Sequence, residues 1–421
     1  MHIVIVNRWP RFTDGVRWDH ELTRYEEFVD HTGHQVSYVV DPAGATGVRA
    51  AREQIAAQVV VADISSFDEV SAAVATVVDE VGRPVDRILT LSEFTLDTVA
   101  RVRQAHGIPG PTPEDVAVYR NKVRMKELLA AAGLRTPRFA PCEDVEQTVS
   151  FARSCGYPVI VKPVDGAGSI GVHRVADEEE LRALWAGQSL HGSEIEEFIS
   201  GTVHHVDGFA DADGKVVFQV VSRYLNDCLS FQNGTPLGSV VMQSSALRDR
   251  IEDFARDCVG ALDMRGMPFH LELFVTPAQE LVFLEVAGRV GGSEVPYVIH
   301  KLFGVNLFEL WLRHLSGDPL PAVAPKDGDP SGGWLIMPKP QHLPAEVVTS
   351  SSMRASVNSV WRELVPAQGQ VLEASGGYDS LQSGRFIVVH DSESGAEADM
   401  RRLMADFRIE LAGHPQSAPA Q

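Results

Sequence analysis

The sequence predicts an α/β protein with a parallel amino-terminal sheet that continues into α+β architecture. Three observations carry this. Short apolar runs alternate with helix-like stretches as far as Leu91, two β-rich runs flank a turn at Pro277, and the composition breaks after Pro319.

Ile3–Val6 is an unbroken apolar run, as a parallel strand buried on both faces requires. Asp19–Thr32 then reads as a helix and His34–Val40 as a second strand. Val59–Asp63 and Arg87–Leu91 read as further strands, with the helix-like Asp68–Val81 between them. Such alternation implies a parallel sheet with helices on both faces. Ligands of these sheets bind beyond the carboxyl ends of the strands. Asn7, Arg8, Ser92 and Glu93 fall there, either facing a site or serving plain turns. The breaker-rich Gly107–Pro113 marks a boundary, and Asn121–Ala132 is a helix stopped by Gly133 and Pro137.

Leu271–Thr276 and Leu281–Val286 flank Pro277-Ala-Gln-Glu280 and predict a hairpin. Pro296–Leu302 and Leu307–Leu315 read as helices. Pro321–Gly333 is a Pro/Gly-rich linker. Beyond it, strands at Trp334–Met337 and Phe386–Val389 and a helix at Ala396–Ile409 predict a small α+β domain, and Pro415–Gln421 reads as disordered.

A length of 421 residues suits two or three domains. Lys and Arg number 37 against 57 Asp and Glu, a formal net charge of -20, which repels polyanions and argues against nucleic acid or anionic membrane as partners. The 4 cysteines, Cys142, Cys155, Cys228 and Cys258, have no metal spacing and read as reduced thiols. The start, Met-His-Ile-Val-Ile-Val, reads as a strand rather than a signal peptide, and no run is long enough to span a membrane. The expected location is cytoplasmic.

The chemistry concentrates in three segments. Glu272 and Glu285 fall near one end of the predicted hairpin, with Arg289 just beyond. Two converging carboxylates need a cation, and Mg2+ with a nucleotide phosphate is the usual one. An arginine there would face a transferring phosphoryl group. The alternative is two solvated edge carboxylates and a surface salt bridge. Upstream, the short strand Val159–Val161 delivers Lys162 into a loop with glycines at 166, 168 and 171. A lysine at the end of a buried strand is costly unless it meets an anion, and glycines let backbone N–H groups approach phosphate. The order of Lys and Gly is not that of a Walker A loop. Between the two, Ser193-Glu-Ile-Glu196-Glu197-Phe198-Ile199-Ser-Gly201 is either a hinge that reads an adenine edge or an ordinary strand end.

In this order, the elements resemble the ATP-grasp superfamily, over roughly Tyr119 to Gly317. The family's first lysine, at a helix start before a Thr-Pro turn, matches Lys122 before Thr136-Pro137. Its second matches Lys162, followed by the glycine loop of Gly166, Gly168 and Ser169; its hinge matches Glu196, Glu197, Phe198 and Ile199. The metal carboxylates match Glu272 and Glu285, and the signature arginine matches Arg289. The resemblance also implies adenine contact at Leu284 and a catalytic role for Arg289. Two positions depart from the pattern. Val203 stands where the family often has a ribose-binding Glu, so either neighbouring histidine, His204 or His205, is expected to substitute, or the ribose to be held otherwise, and Ala287 stands where an Asn would complete a metal shell.

The implied organisation is a Rossmann-like domain over 1–113, ATP-grasp domains over 114–320 with a lid subdomain at about 137–200, a small α+β domain over 330–414 and a tail over 415–421. The implied ligands are ATP and Mg2+ or Mn2+, with a small carboxylic acid and an amine, possibly amino acids, as substrates and a homodimer as the assembly. The implied reaction is carboxylate–amine ligation through an acyl phosphate, of the kind run by L-amino acid ligases; the alternatives are a carboxylase- or purine-pathway-type ligase, or an ATP-binding protein without turnover. Substrate contacts are expected at Gly291, Gly292 and Ser293, before the helix at Pro296, and in the polar stretch Tyr224–Val240.

Overall fold

The structure is a computed structural model, and it describes residues 1–11, 21–166, 168–226, 230–231, 234–323, 328–374 and 381–412. Four strands, β1 (His2–Asn7), β2 (Gln35–Val40), β3 (Ile55–Val60) and β4 (Arg87–Leu89), form a parallel sheet in the order β3-β2-β1-β4. Ile3, Val4 and Ile5 are wholly buried, because the sheet is covered on both faces.

Two boundaries here differ from the sequence expectation, both because a side chain competes for the backbone. The helix expected over Asp19–Thr32 is a single turn, Tyr25–Phe28, with residues 12–20 outside the described set. Asp30 ends that stretch by accepting from the backbone N–H of Thr32 and Gly33. The third strand lies earlier than Val59–Asp63, since the Glu69 carboxylate takes the N–H groups of Ala62 and Asp63 and turns the chain into the helix Phe67–Val81.

A second, antiparallel sheet joins β5 (Phe139–Pro141), β6 (Val159–Pro163), β7 (His173–Val175) and β8 (Ser193–Glu197) in the order β5-β8-β6-β7. It packs its own core of Val149, Val159, Val161, Leu181 and Ile195, separate from the main one.

The third sheet has eight strands. β9 (Thr202–Ala210), β10 (Val216–Tyr224), β11 (Leu237–Val241), β12 (Met267–Val275) and β13 (Leu281–Ala287) make its first part. β14 (Ser331–Met337), β16 (Val360–Leu364) and β18 (Gly384–His390) extend the same sheet, in the order β13-β12-β9-β10-β11-β14-β18-β16. The carboxy-terminal segment thus shares a sheet with the middle of the chain. It keeps a small sheet of its own from β15 (Ala345–Ser350), β17 (Val371–Leu372) and β19 (Ile409–Leu411). The helix expected over Ala396–Ile409 runs Glu393–Asp406, because Ile409 pairs in β19 instead. Of the linker Pro321–Gly333, the last three residues belong to β14, and 324–327 lie outside the described residues, as do Cys228 and the tail 415–421. The described cysteines, Cys142, Cys155 and Cys258, are free thiols. No helix among the described residues is long and apolar enough to cross a membrane.

Candidate active site

A cleft of about 450 Å³ lies between the second sheet and the β12–β13 hairpin. Its shape follows from three local devices. Asn121 caps the helix Lys122–Ala131 by accepting from the Arg124 N–H, which aims Lys122, at the first helical position, into the cleft. The glycine loop is tied to the same helix start: Val164 O accepts from the Lys122 N–H at 2.8 Å and Gly166 O from Lys122 Nζ at 2.5 Å. Gly168, Ser169 and Gly171 all have left-handed backbone, with φ of 64°, 58° and 71°, a conformation that coils the loop tightly. On β13, Glu285 pairs with Glu272 while Phe283 pairs with Leu273, so Leu284 is an extra residue in the ladder. The bulge lets Leu284 and Glu285 line the cleft together.

Lys122, Lys162, Gly166, Gly168, Ser169, Glu196, Glu197, Phe198, Ile199, Leu284, Glu272 and Glu285 all line this cleft. His204 does not. Alternation along β9 turns Val203 and His205 toward the Glu272 face and His204 to the opposite one, where His204 pairs across from Leu273. His204 is buried, with only Nδ1 partnered, to Thr202 O, and burial lowers its pKa to about 4. A ribose contact at His204 is therefore not compatible with this arrangement. Arg289 and Gly291–Ser293 lie beyond the cleft lining. Ser293 has a φ of 55°, a costly left-handed conformation for a serine, directly before the helix Val295–Phe303. In the stretch Tyr224–Val240, Ser230 lines the cleft, and 227–229 and 232–233 lie outside the described residues.

Lys122, Lys162 and Arg289 are each held by a carboxylate, while Arg174 stacks on the Phe198 ring at the cleft. Lys122 Nζ stands 3.1 Å from Glu285 Oε2, and Lys162 Nζ 2.7 Å from Glu196 Oε1. Burial lowers the Lys162 pKa, but Glu196, Glu194 and Glu285 outweigh it and raise it well above the lysine range. Burial likewise raises Glu196, and Lys162 and Lys126 bring it below the carboxylate range. Burial pushes Glu194 up. Arg289 Nε donates to Glu93 Oε2 at 2.8 Å. Glu93 also binds Arg120, whose other arm reaches Asp165 O in the glycine loop at 3.2 Å. Burial opposes both charges, yet the pairing lowers Glu93 and raises Arg289. Glu197 turns outward to Arg135 and the Arg138 N–H, fixing the hinge strand rather than meeting a lysine.

Several residues went unassigned in the sequence. Lys126 is fully buried between Glu194 and Glu196, 5.2 Å from the Phe139 ring centroid. Its signal was present, since Lys122 and Lys126 are one helical turn apart and share a face. Arg120 and Asp207 carried no local pattern. Asn7 fixes a turn, accepting from the Tyr25 hydroxyl and the Trp9 N–H.

Glu272 and Glu285 are hard donors directly opposite each other on the hairpin, a donor set that fits Mg2+ or Mn2+. A sheet-borne carboxylate pair, two buried lysines and a glycine loop thus meet at one cleft.

Comparison with known proteins agrees. The ATP-grasp domain profile matches residues 155–296. The L-arginine-specific L-amino acid ligase of Bacillus subtilis is 27% identical over 270 residues, 61% of this chain and 63% of that protein. The D-alanine–D-alanine ligase of Azoarcus sp. is 30% identical over 237 residues, 52% of this chain and 75% of that protein. Other relatives include carbamoyl phosphate synthase large chains, a biotin carboxylase and a formate-dependent phosphoribosylglycinamide formyltransferase. The chain spans less than two thirds of the length of the first of these relatives, and about half or less of several others. Among solved structures, the L-amino acid ligase of Bacillus licheniformis has a TM-score of 0.72 at 21% identity, covering 99% of each chain. The biotin carboxylase domain of the Hydrogenobacter thermophilus 2-oxoglutarate carboxylase, solved with MgADP and bicarbonate, has a TM-score of 0.68 at 16% identity, covering 97% of this chain and 90% of that one. The chain belongs to the ATP-grasp superfamily, as a ligase-type member related to the L-amino acid ligases.

Proposed function

We propose that this protein transfers the γ-phosphoryl group of ATP to a carboxylate, forming an acyl phosphate that a nucleophile then attacks, with ADP and phosphate released. The observation that carries this reading is the convergence of Lys122, Lys162, Glu272 and Glu285 on one cleft, with Arg289 just beyond it. A carboxylate is a poor electrophile because its leaving group would be oxide; phosphorylation provides a good one. Both steps build negative charge on oxygen, so the protein's task is positioning and charge stabilisation rather than side-chain proton transfer. Lys122 and Lys162 would neutralise the phosphate chain of ATP, and the hinge at Glu196–Ile199 would receive the adenine. Glu272 and Glu285 would hold Mg2+ or Mn2+, which when bound supplies charge neutralisation for the phosphate oxygens. Arg289, at the mouth, would face the transferring group and the oxyanion. The lid sheet with its separate core would exclude water, which otherwise hydrolyses the acyl phosphate.

Two substrate classes fit this chemistry. An amino acid with an amine acceptor is supported by the likeness to the two amino acid ligases. Bicarbonate or formate, in a carboxylase- or purine-type ligase, is supported by the wider run of relatives and by the bicarbonate-bound neighbour. Phosphate release from MgATP, measured against carboxylic acids, bicarbonate and formate, each with and without amines, distinguishes them. Release that needs an acid and an amine together establishes the first class. Release with bicarbonate or formate establishes the second. Nucleotide binding with no release across the whole matrix would sink the proposal of turnover.

A further inference from the structure

Beside the cleft, a chain of buried polar groups runs from β11 to the hairpin. Asp207 Oδ2 accepts from His205 Nδ1 at 2.6 Å and Asp207 Oδ1 from His270 Nδ1 at 2.8 Å. His205 Nε2 meets Ser239 Oγ at 2.8 Å. At the other end, His270 Nε2 lies 3.5 Å from Glu272 Oε1, and the Tyr224 hydroxyl donates to that same oxygen at 2.8 Å. Asp207 is wholly buried.

A donor and an ion-pairing ring on one oxygen, Tyr224 by a hydrogen bond and His270 at ion-pair distance, have a definite consequence. The terminal torsion of a glutamate is soft, so the hairpin alone does not fix the plane of the Glu272 carboxylate. His270 and Tyr224 fix it, with Oε1 occupied and the second oxygen left for the cleft. Asp207 orients His270 in turn. Asp207 has a second neighbour: a Cβ added at Gly291 would lie 2.3 Å from Asp207 Oδ1. Gly291 is not in the left-handed region, so that close approach, rather than backbone conformation, is what calls for glycine there.

We propose that Asp207, acting through His270, is a positioning residue that sets the Glu272 carboxylate for the divalent cation and ties it to the Gly291–Ser293 loop. The donor atoms of His205, Asp207 and His270 lie close enough together to take a cation themselves. Both Asp207 oxygens, however, already accept N–H groups at hydrogen-bond length, which leaves the cluster serving the ligand rather than being one. The inference rests on the reading of Glu272 as a metal ligand.

The test is calorimetric titration of ADP into the full-length protein across a Mg2+ series, for wild type, Glu272→Gln, Asp207→Asn, His270→Gln and Gly291→Ala. The Mg2+ concentration giving half-maximal nucleotide affinity should rise roughly 10-fold or more in Asp207→Asn and His270→Gln, the range for orienting partners of metal ligands. Gly291→Ala should follow them although it lies outside the cleft lining. Binding of ADP without metal should stay within about 2-fold of wild type, and Mn2+, the tighter binder, should restore part of the loss. An unchanged Mg2+ requirement in the folded Asp207 and His270 variants, with Glu272→Gln shifted, overturns the inference alone. An unchanged requirement in Glu272→Gln overturns the metal assignment and the inference with it. One equivalent of metal retained by the protein after desalting, and lost in His205→Gln, would also overturn it, since the cluster would then be a metal site in its own right.

Discussion

The two faces of β9 and β12 differ as much as two proteins would. On one face His205, Asp207, His270 and Glu272 carry a buried polar chain to the cleft, with Val203 beside it in the cleft lining. On the other, Phe269, Leu271 and Leu273 are wholly buried and β12 packs on the helix Leu307–Ser316, while β9 lies against that helix and Ala246–Ala261. The neighbours His204 and His205 show the contrast at its sharpest. His205 is bonded at both ring nitrogens. His204, one residue away, has a buried Nε2 with no hydrogen-bond partner. A strand alternates its side chains with period 2, so function and stability can be written on the same segment without sharing a residue.

Substitutions on each face should therefore separate cleanly. The largest effect is expected at the mouth of the functional face. Arg289→Ala should reduce single-turnover acyl phosphate formation roughly 100- to 1000-fold, as loss of a charge aimed at the reacting oxygen does, with the ATP dissociation constant nearly unchanged. Equal losses in binding and turnover would make Arg289 a binding residue only. On the packed face, Leu271→Ala should lower unfolding free energy by about 2–5 kcal/mol through the cavity it leaves, while nucleotide affinity of the folded protein holds. A matching loss of affinity would show that the faces are coupled. The smallest effect belongs to His204. Its folded pKa of about 4 lies below the ordinary 6.5, so the unfolded chain binds the proton first as pH falls. Stability is then full above about pH 6.5 and lost between there and about pH 4, by a few kcal/mol at most. His204→Leu should flatten that part of the acid unfolding curve, and an unchanged slope would contradict the burial of a ring with one unpartnered nitrogen.

Much of this was legible in the chain itself. The hairpin, the lysine before the glycine loop and the hinge strand are local patterns that each alone left a plain structural reading open; it was their order, matched to a family pattern, that singled out Glu272, Glu285, Lys162 and Glu196. The bulge at Leu284 and the face on which His204 falls depend on register, which only the partner strand sets. Asp207, and the pairing of Glu93, which the sequence offered only as a strand-end candidate, were out of reach for another reason. Their partners, His270 and Arg289, are 63 and 196 residues away in the chain. The joining of β14, β18 and β16 to the central sheet was hidden in the same way, because the composition break at Pro319 marks a change of segment and not of sheet.

The pairing of Lys122, Lys162 and Arg289 with carboxylates has a thermodynamic consequence. Lys122 rests on Glu285, Lys162 on Glu196 and Arg289 on Glu93. On the proposed function, loading the cleft would be an exchange of partners: with Glu285 holding a divalent ion, Lys122 would be freed toward phosphate. Metal and nucleotide should accordingly be linked ligands, each raising the affinity of the other by the same factor. Because charges are swapped rather than newly neutralised, the affinity for the metal–nucleotide pair should depend only weakly on ionic strength, in a protein whose overall charge of -20 would otherwise repel ATP.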